Sequence, residues 1–179
     1  MIQNIVKEDY KTIQSILAGN KDEYEALVDR YYKGLNYHIY SMVDDTYLAE
    51  DICQEAFIKS YLALNRYNPA YSFSTWLYKI ATNLALDYLK KARPLPLYQE
   101  IASTHVRIEE KMLIEERKAA VLNALQTLSP SHRAVVSLYY WQGKSYMEIA
   151  EILDVPINTV KTWLFRAKQI MKEKLDGSI

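Results

Sequence analysis

Between Gly143 and Leu175 the apolar positions are spaced as two helices joined by a tight turn require. Tyr146, Ile149, Ala150 and Leu153 fall on one helical face, and after a break Val160, Leu164, Ala167, Met171 and Leu175 repeat at three- and four-residue steps. Ser145 and Glu148 form an S-x-x-E pair ahead of the first run, which predicts a capping box. Pro156, whose fixed φ suits a helix opening, predicts the start of the second helix after Asp154 and Val155. The remaining surface of that helix carries Asn158, Thr159, Lys161, Thr162, Phe165, Arg166, Lys168 and Gln169. A short helix, a turn and a longer helix with polar and basic residues near its start form the pattern of a helix-turn-helix that enters the major groove. An ordinary helical hairpin with a solvated face would share the periodicity. Lys161, Arg166, Lys168, Lys172 and Lys174 face the single acid Glu173, which favours DNA binding.

Upstream, residues 9 to 18 read as a short helix stopped by Gly19. Asn20 with Glu23 predicts the cap of a longer helix whose stripe is Tyr24, Leu27, Val28, Tyr31, Leu35, Ile39 and Met42. His38 lies beside that stripe with no second ligand at metal spacing, so it is read as a packed or surface residue. Asp44, Asp45 and Thr46 offer caps for a helix to about Asn65, burying Ala49, Ile52, Cys53, Ala56, Phe57, Ser60 and Leu64. Its other face shows Glu50, Asp51, Gln54, Glu55, Ile58 and Lys59, either a solvated surface or an acidic docking surface.

Residues 66 to 74, RYNPAYSFS, predict an aromatic loop before a helix from about Thr75 to Ala92. On that helix Leu77, Ile80, Ala81, Leu84 and Tyr88 are expected inward, with Trp76, Lys79, Asn83, Asp87 and Lys90 opposite. Rings beside lysines suit unpaired nucleic acid, where bases stack and cations hold phosphates. The competing reading is that Tyr67, Tyr71, Phe73 and Trp76 plug the end of a bundle. Pro94 and Pro96 end the helix, which divides the chain into 1–93, a linker at 94–108 and 109–179. In the last part a helix from Glu109 to Leu128 is followed by one capped by Ser129, with Pro130 at its first position, carrying Val135, Leu138 and Tyr139.

Composition supports an all-α fold of two small helical domains on a flexible linker: the chain of 179 residues is 50% hydrophobic but has only 4 Gly and 5 Pro. The net charge of zero would argue against a nucleic-acid partner were charge not segregated. Lys79, Lys90, Lys91 and Arg93 surround only Asp87, whereas Asp44, Asp45, Glu50, Asp51 and Glu55 come without a base. Cys53 is the one cysteine, so neither an intrachain disulfide nor a cysteine metal cluster is expected, and placed inward it is not expected to be reactive. His38, His105 and His132 are scattered and no nucleophile motif appears, so an enzyme, a cofactor, a metal site and a small-molecule substrate are not expected. With no leader pattern or apolar span, a cytoplasmic location is the expectation.

Three stretches together resemble the extracytoplasmic-function (ECF) sigma factors of bacterial RNA polymerase, over nearly the whole length. AEDICQEAFIKSY resembles their polymerase-binding segment, FSTWLYKIATNLALDYLKK the segment that opens and reads the minus-ten element, and LSPSHRAVVSLYYWQGKSYMEIAEILDVPINTVKTWLFRAK the minus-thirty-five reader. The resemblance implies that Asp51, Gln54, Glu55 and Ile58 dock on the clamp helices of the largest polymerase subunit, with a second polymerase contact at the flap. It implies capture of a flipped minus-ten base by the loop from Tyr67 through Asn68, Tyr71 and Phe73 to Ser74, with Trp76, Lys79, Asn83, Lys90 and Lys91 beside it. The second helix of the helix-turn-helix would read the minus-thirty-five element. A membrane-anchored anti-sigma protein is the implied regulator, and the free chain is expected to be a monomer. Two positions depart from the family pattern: Asn158 replaces a common glycine and Trp163 a common arginine. The chain lacks a G-x-x-x-x-G-K-[ST] loop, so it is not expected to spend ATP on melting DNA. The alternative is a free-standing dimeric helix-turn-helix regulator, which needs a self-complementary surface and a paired operator.

Overall fold

A computed structural model describes residues 2–91 and 120–176; the side chains of residues 2–4 and 176 are left aside. The described residues are helical and contain no strand. The first region is α1 (Ile2–Leu17), α2 (Tyr24–Val43), α3 (Thr46–Leu62) and α4 (Phe73–Lys91). The second is α5, described over residues 120–126, then α6 (Pro130–Val136), α7 (Tyr146–Leu153) and α8 (Ile157–Asp176). The expected linker at 94–108 and most of the expected helix from Glu109 lie outside the described residues.

Local chemistry sets most boundaries. Asp45 accepts the Leu48 amide at 3.0 Å to open α3, and Ser129 caps α6 ahead of Pro130. Ser145 and Glu148 form the expected reciprocal capping box. Asp44 and Asp154 close α2 and α7 in the left-handed region, at φ 58° and 53°. The predicted stripes of α2 and α3 are inward: Leu27, Leu35, Ile39 and Met42 meet all seven residues expected to be buried from Ala49 to Leu64. In the second region Val135, Leu138, Ile149, Ile152, Val160, Leu164 and Ala167 supply the core.

Several expectations change. α1 begins at Ile2, not near residue 9, and Asp9 is a buried mid-helix carboxylate held by Arg30 and the Tyr31 hydroxyl. Asn20 does not cap α2: its amide donates to Ser15 Oγ at 2.9 Å while Ser15 donates to Glu23, and a 3-10 turn, Lys21–Glu23, precedes the helix. α3 stops at Leu62 and a second 3-10 turn, Leu64–Arg66, finishes the segment. α4 opens two residues early, where Ser72 Oγ accepts the Thr75 amide at 3.1 Å. Tyr88 is exposed, whereas Tyr78, Thr82 and Ala85 are buried. The reason is that α4 packs on α2 and α3 with one side and on α7 with another, so its inward face is wider than a single stripe. A π-helical turn, Ser137–Trp141, continues α6, a departure that the apolar spacing does not signal.

His38 joins the two regions. Its Nδ1 lies 3.1 Å from Ser137 Oγ beyond α6, its Nε2 lies 2.9 Å from Thr82 Oγ1 of α4, and the ring is fully buried. Burial pushes its pKa down to about 3 from the usual 6.5. The folded chain keeps this imidazole neutral where the unfolded chain protonates it, so stability is lost as pH falls below about 6.5. Urea unfolding should show about 2 kcal/mol less stability from this site at pH 5 than at pH 7, and His38→Gln should remove that part of the pH dependence.

Candidate nucleic-acid interface

The loop from Tyr67 to Ser72 is shaped by its own side chains. Asn68 Oδ1 accepts the Ala70 amide at 3.0 Å across Pro69, and the Tyr67 hydroxyl donates to the Tyr71 carbonyl at 2.6 Å. Tyr67, Phe73 and Trp76 pack in a triangle with ring centroids 5.5 to 6.0 Å apart, and Tyr31 of α2 lies 5.8 Å behind Phe73. This divides the expected aromatic contacts. Phe73 is 0% exposed, which corrects the expectation that it meets DNA: it is the base of the platform. Tyr67 and Trp76 are half-buried, and Tyr71 is 45% exposed.

Asn68, Tyr71, Trp76 and Lys79 line one recess of about 260 Å³, together with Arg66, Thr75 and Glu151. Arg66 was not among the expected site residues; its signal was a cation directly before the Y-N-P turn. Ser74 lies at the start of α4, where its hydroxyl accepts from Lys144 at 2.7 Å. Asn83, Lys90 and Lys91 are exposed but further along α4, with Lys90 3.4 Å from Asp87. Eleven residues separate Lys79 from Lys90, about 16 Å at the helical rise, so these lysines continue a track and do not share the recess.

On α8, Asn158, Lys161, Thr162, Phe165, Arg166, Lys168 and Gln169 are exposed and Thr159 is half-buried. Val160, Leu164 and Ala167 hold the opposite side in the core, which aims the polar face outward. The Thr162 hydroxyl donates to the Asn158 carbonyl at 2.8 Å, leaving its acceptor positions open. Lys168 borders an apolar recess of about 390 Å³ with Trp141, Met171 and Leu175, at the edge of the polar face. Trp163 is half-buried, its ring 5.7 Å from that of His132, so this departure from the family pattern packs on α6.

Asp51, Gln54, Glu55 and Ile58 are all exposed on successive turns of α3. Glu55 pairs with Lys59 at 2.8 Å across the helix surface, an exposed pair that contributes little to stability. Tyr47 is 82% and Leu62 73% exposed, extending the stripe by a turn at each end. Sequence reading missed both, although they stand four residues before Asp51 and four after Ile58. Behind the stripe Cys53 is fully buried, and burial drives its thiol pKa up to about 12. Among the described residues no helix is long and apolar enough to cross a membrane, and no cluster of metal-ligating side chains occurs.

Residues 27–94 match the family of sigma-70 region 2 and residues 118–171 that of sigma-70 region 4. The chain is 32% identical to the ECF RNA polymerase sigma factor SigW of Bacillus subtilis, over 92% of this chain and 95% of that protein. It is 31% identical to the ECF RNA polymerase sigma-E factor of Haemophilus influenzae, over 93% and 95% of the two chains. Among solved structures, the sigma factor RpoE of Bartonella quintana, determined with the anti-sigma factor NepR, has the same fold with a TM-score of 0.69, at 20% identity over 86% of this chain and 97% of that one. Two sigma-70 regions in this order and a near full-length match to SigW place the chain in a single family: it belongs to the ECF sigma factors, alternative sigma factors that direct promoter-specific transcription.

Proposed function

We propose that this sigma factor engages its promoter through two surfaces and core RNA polymerase through a third. The loop at the entry to α4 captures an unstacked base of the minus-ten element in the recess between Asn68, Tyr71, Trp76 and Lys79. Lys90 and Lys91 accompany the strand as it leaves, and α8 reads the minus-thirty-five element through Asn158 to Gln169. The exposed face of α3, from Asp51 to Ile58, docks on the clamp helices of the largest polymerase subunit, and the apolar recess beside Lys168 suits a contact at the flap. The observation that carries this reading is the convergence of an exposed ring, an amide and cations on one recess, the combination that single-strand binding requires.

Unstacking a base costs a few kcal/mol, and with no nucleotide loop the chain must offset that from ring stacking and from polymerase contacts. Melting therefore belongs to the holoenzyme, and the sigma factor itself turns over no substrate. An anti-sigma protein is the fitting regulator, since RpoE of Bartonella quintana, which shares the fold, was determined with one. That protein would hold the chain in the cytoplasm, at the membrane if it is itself anchored there. A free-standing dimeric regulator is not favoured, because the match extends through the region 2 half that such a protein does not need.

Transcription in vitro with core polymerase, on templates selected from random DNA by the holoenzyme, tests the proposal. Initiation no different with and without the chain would sink it. On a selected promoter Arg166→Ala should weaken binding and flatten the salt dependence by about 0.9 in the log-log slope, the share of one phosphate contact. An unchanged slope would remove Arg166 from the backbone contacts.

A further inference from the structure

The outer face of α2 is aromatic where a solvated helix surface would be charged. Tyr32, Asn36 and Tyr40 recur at four-residue steps, with Lys33 and Tyr37 one position along, opposite the core stripe of Leu35, Ile39 and Met42. Together with Trp141 and Gln142 from the end of the π-helical turn, they line a recess of about 610 Å³. That volume is in the range of small-molecule sites, about 300 to 1,000 Å³.

The second wall depends on the π-helical turn. The Gln142 amide donates to the Ser137 carbonyl at 3.1 Å, five residues back, and turns of this kind are frequent at functional sites. The turn ends at Trp141, whose ring meets that of Tyr37 edge to face at 5.5 Å and 72°. Gln142 fills one end of the recess. Its Nε2 donates to the Gly34 carbonyl at 3.1 Å, and the Tyr78 hydroxyl donates to its Oε1 at 2.6 Å. A Cβ on Gly34 would stand 2.8 Å from Gln142 Oε1, so a glycine is needed for this plug to seat. With that end closed, the recess suits one ring system better than a strand running through.

Two polar groups say what the ring should carry. Asn36 Nδ2 is buried and forms no hydrogen bond among the described residues. Buried donors are nearly always paired, because an unpaired one is costly, so this amide calls for an acceptor. Lys33 is exposed, forms no ion pair among the described residues, and is the one charged side chain lining the recess. Glu50 acts on Tyr32 and Asp44 on Tyr40 from outside; neither lines it. A flat ring to stack, an acceptor on its edge and an attached anion together describe a nucleotide. An acyl chain would leave both Asn36 and Lys33 unused.

We propose that this recess binds a free nucleotide as an effector, not a substrate, with its base among Tyr37, Tyr40 and Trp141, a base acceptor on Asn36 Nδ2 and its phosphate at Lys33. The site shares no residue with the surfaces assigned to DNA, so it stands or falls apart from them. Through Trp141 it abuts the apolar recess beside Lys168.

The test uses the full-length chain with AMP, GMP, CMP and UMP, read by equilibrium dialysis and by tryptophan fluorescence. At least one nucleotide should saturate with a dissociation constant below about 1 mM, purines ahead of pyrimidines because their larger rings stack over more area. Ribose 5-phosphate, which has no base, should not bind. Quenching should vanish in Trp141→Phe, which leaves Trp76 and Trp163 in place. Tyr37→Ala should weaken binding about 5- to 150-fold, the equivalent of one stacking ring. Lys33→Ala should erase the preference for a monophosphate over its nucleoside. Asn36→Leu should weaken binding several-fold with an equal or higher melting temperature, since it removes an unpaired donor. Tyr37 and Lys33 are exposed, so those two variants keep the comparison sound if Asn36→Leu folds poorly. Three results would each overturn the proposal: no nucleotide saturating below about 1 mM, affinities unchanged across the variants, or a single strand of about 15 nucleotides that quenches Trp141 more tightly than any mononucleotide.

Discussion

Asp51→Lys combined with Glu55→Lys should abolish binding to core polymerase while leaving the fold intact. Both side chains are exposed on α3, and among the described residues the only ion pair that Glu55 loses is its surface pair with Lys59. Exposed ion pairs contribute about 0 to 1 kcal/mol, so thermal stability should scarcely move. Docking is different, because reversing two charges in a complementary interface sets like charges against each other at a cost of several kcal/mol. At about 1.4 kcal/mol per decade, the affinity falls by about a hundredfold or more. Gel filtration with core polymerase at moderate salt reads this directly; co-migration of the variant would move the docking surface elsewhere. Tyr47→Ala and Leu62→Ala then ask whether the stripe is as long as its exposed apolar residues suggest.

Open-complex formation should drop by about 5- to 150-fold in Tyr71→Ala, the kinetic or affinity equivalent of about 1 to 3 kcal/mol for one lost base-stacking ring. The expectation is specific to Tyr71 because the other rings of the loop hold each other. Its own hydroxyl donates no hydrogen bond among those described, so Tyr71→Phe should behave as wild type. Fluorescence of a base analogue in the minus-ten element separates melting from recruitment. A Tyr71→Ala holoenzyme that melts normally would assign the flipped base to a different surface.

The helix-turn-helix was the most legible part of the chain, since its signals are local: a capping box within four residues, a proline at the second helix and an uninterrupted apolar step. The core stripe of α3 was legible for the same reason, because one side of that helix packs and the other does not. What sequence could not show was set by contacts between distant residues. His38, Thr82 and Ser137 are polar at positions where periodicity expects either core or surface, and they make sense only once α2, α4 and the end of α6 meet. Asn20 has the chemistry of a cap, but Ser15 was near enough to take its amide. The aromatic loop was recognisable as a cluster of rings, whereas which ring faces outward depends on Tyr31, an α2 residue far away in sequence.

The burial of Cys53 has a further consequence. With the protein's one sulfhydryl sealed on the inner face of α3 and held as a neutral thiol, peroxide or disulfide stress finds no reactive thiol on the native fold. Any thiol-based oxidative cue that this sigma factor answers must be received by another molecule and relayed. For the bench the same shielding is convenient: a cysteine introduced on either region would take up a maleimide dye almost alone.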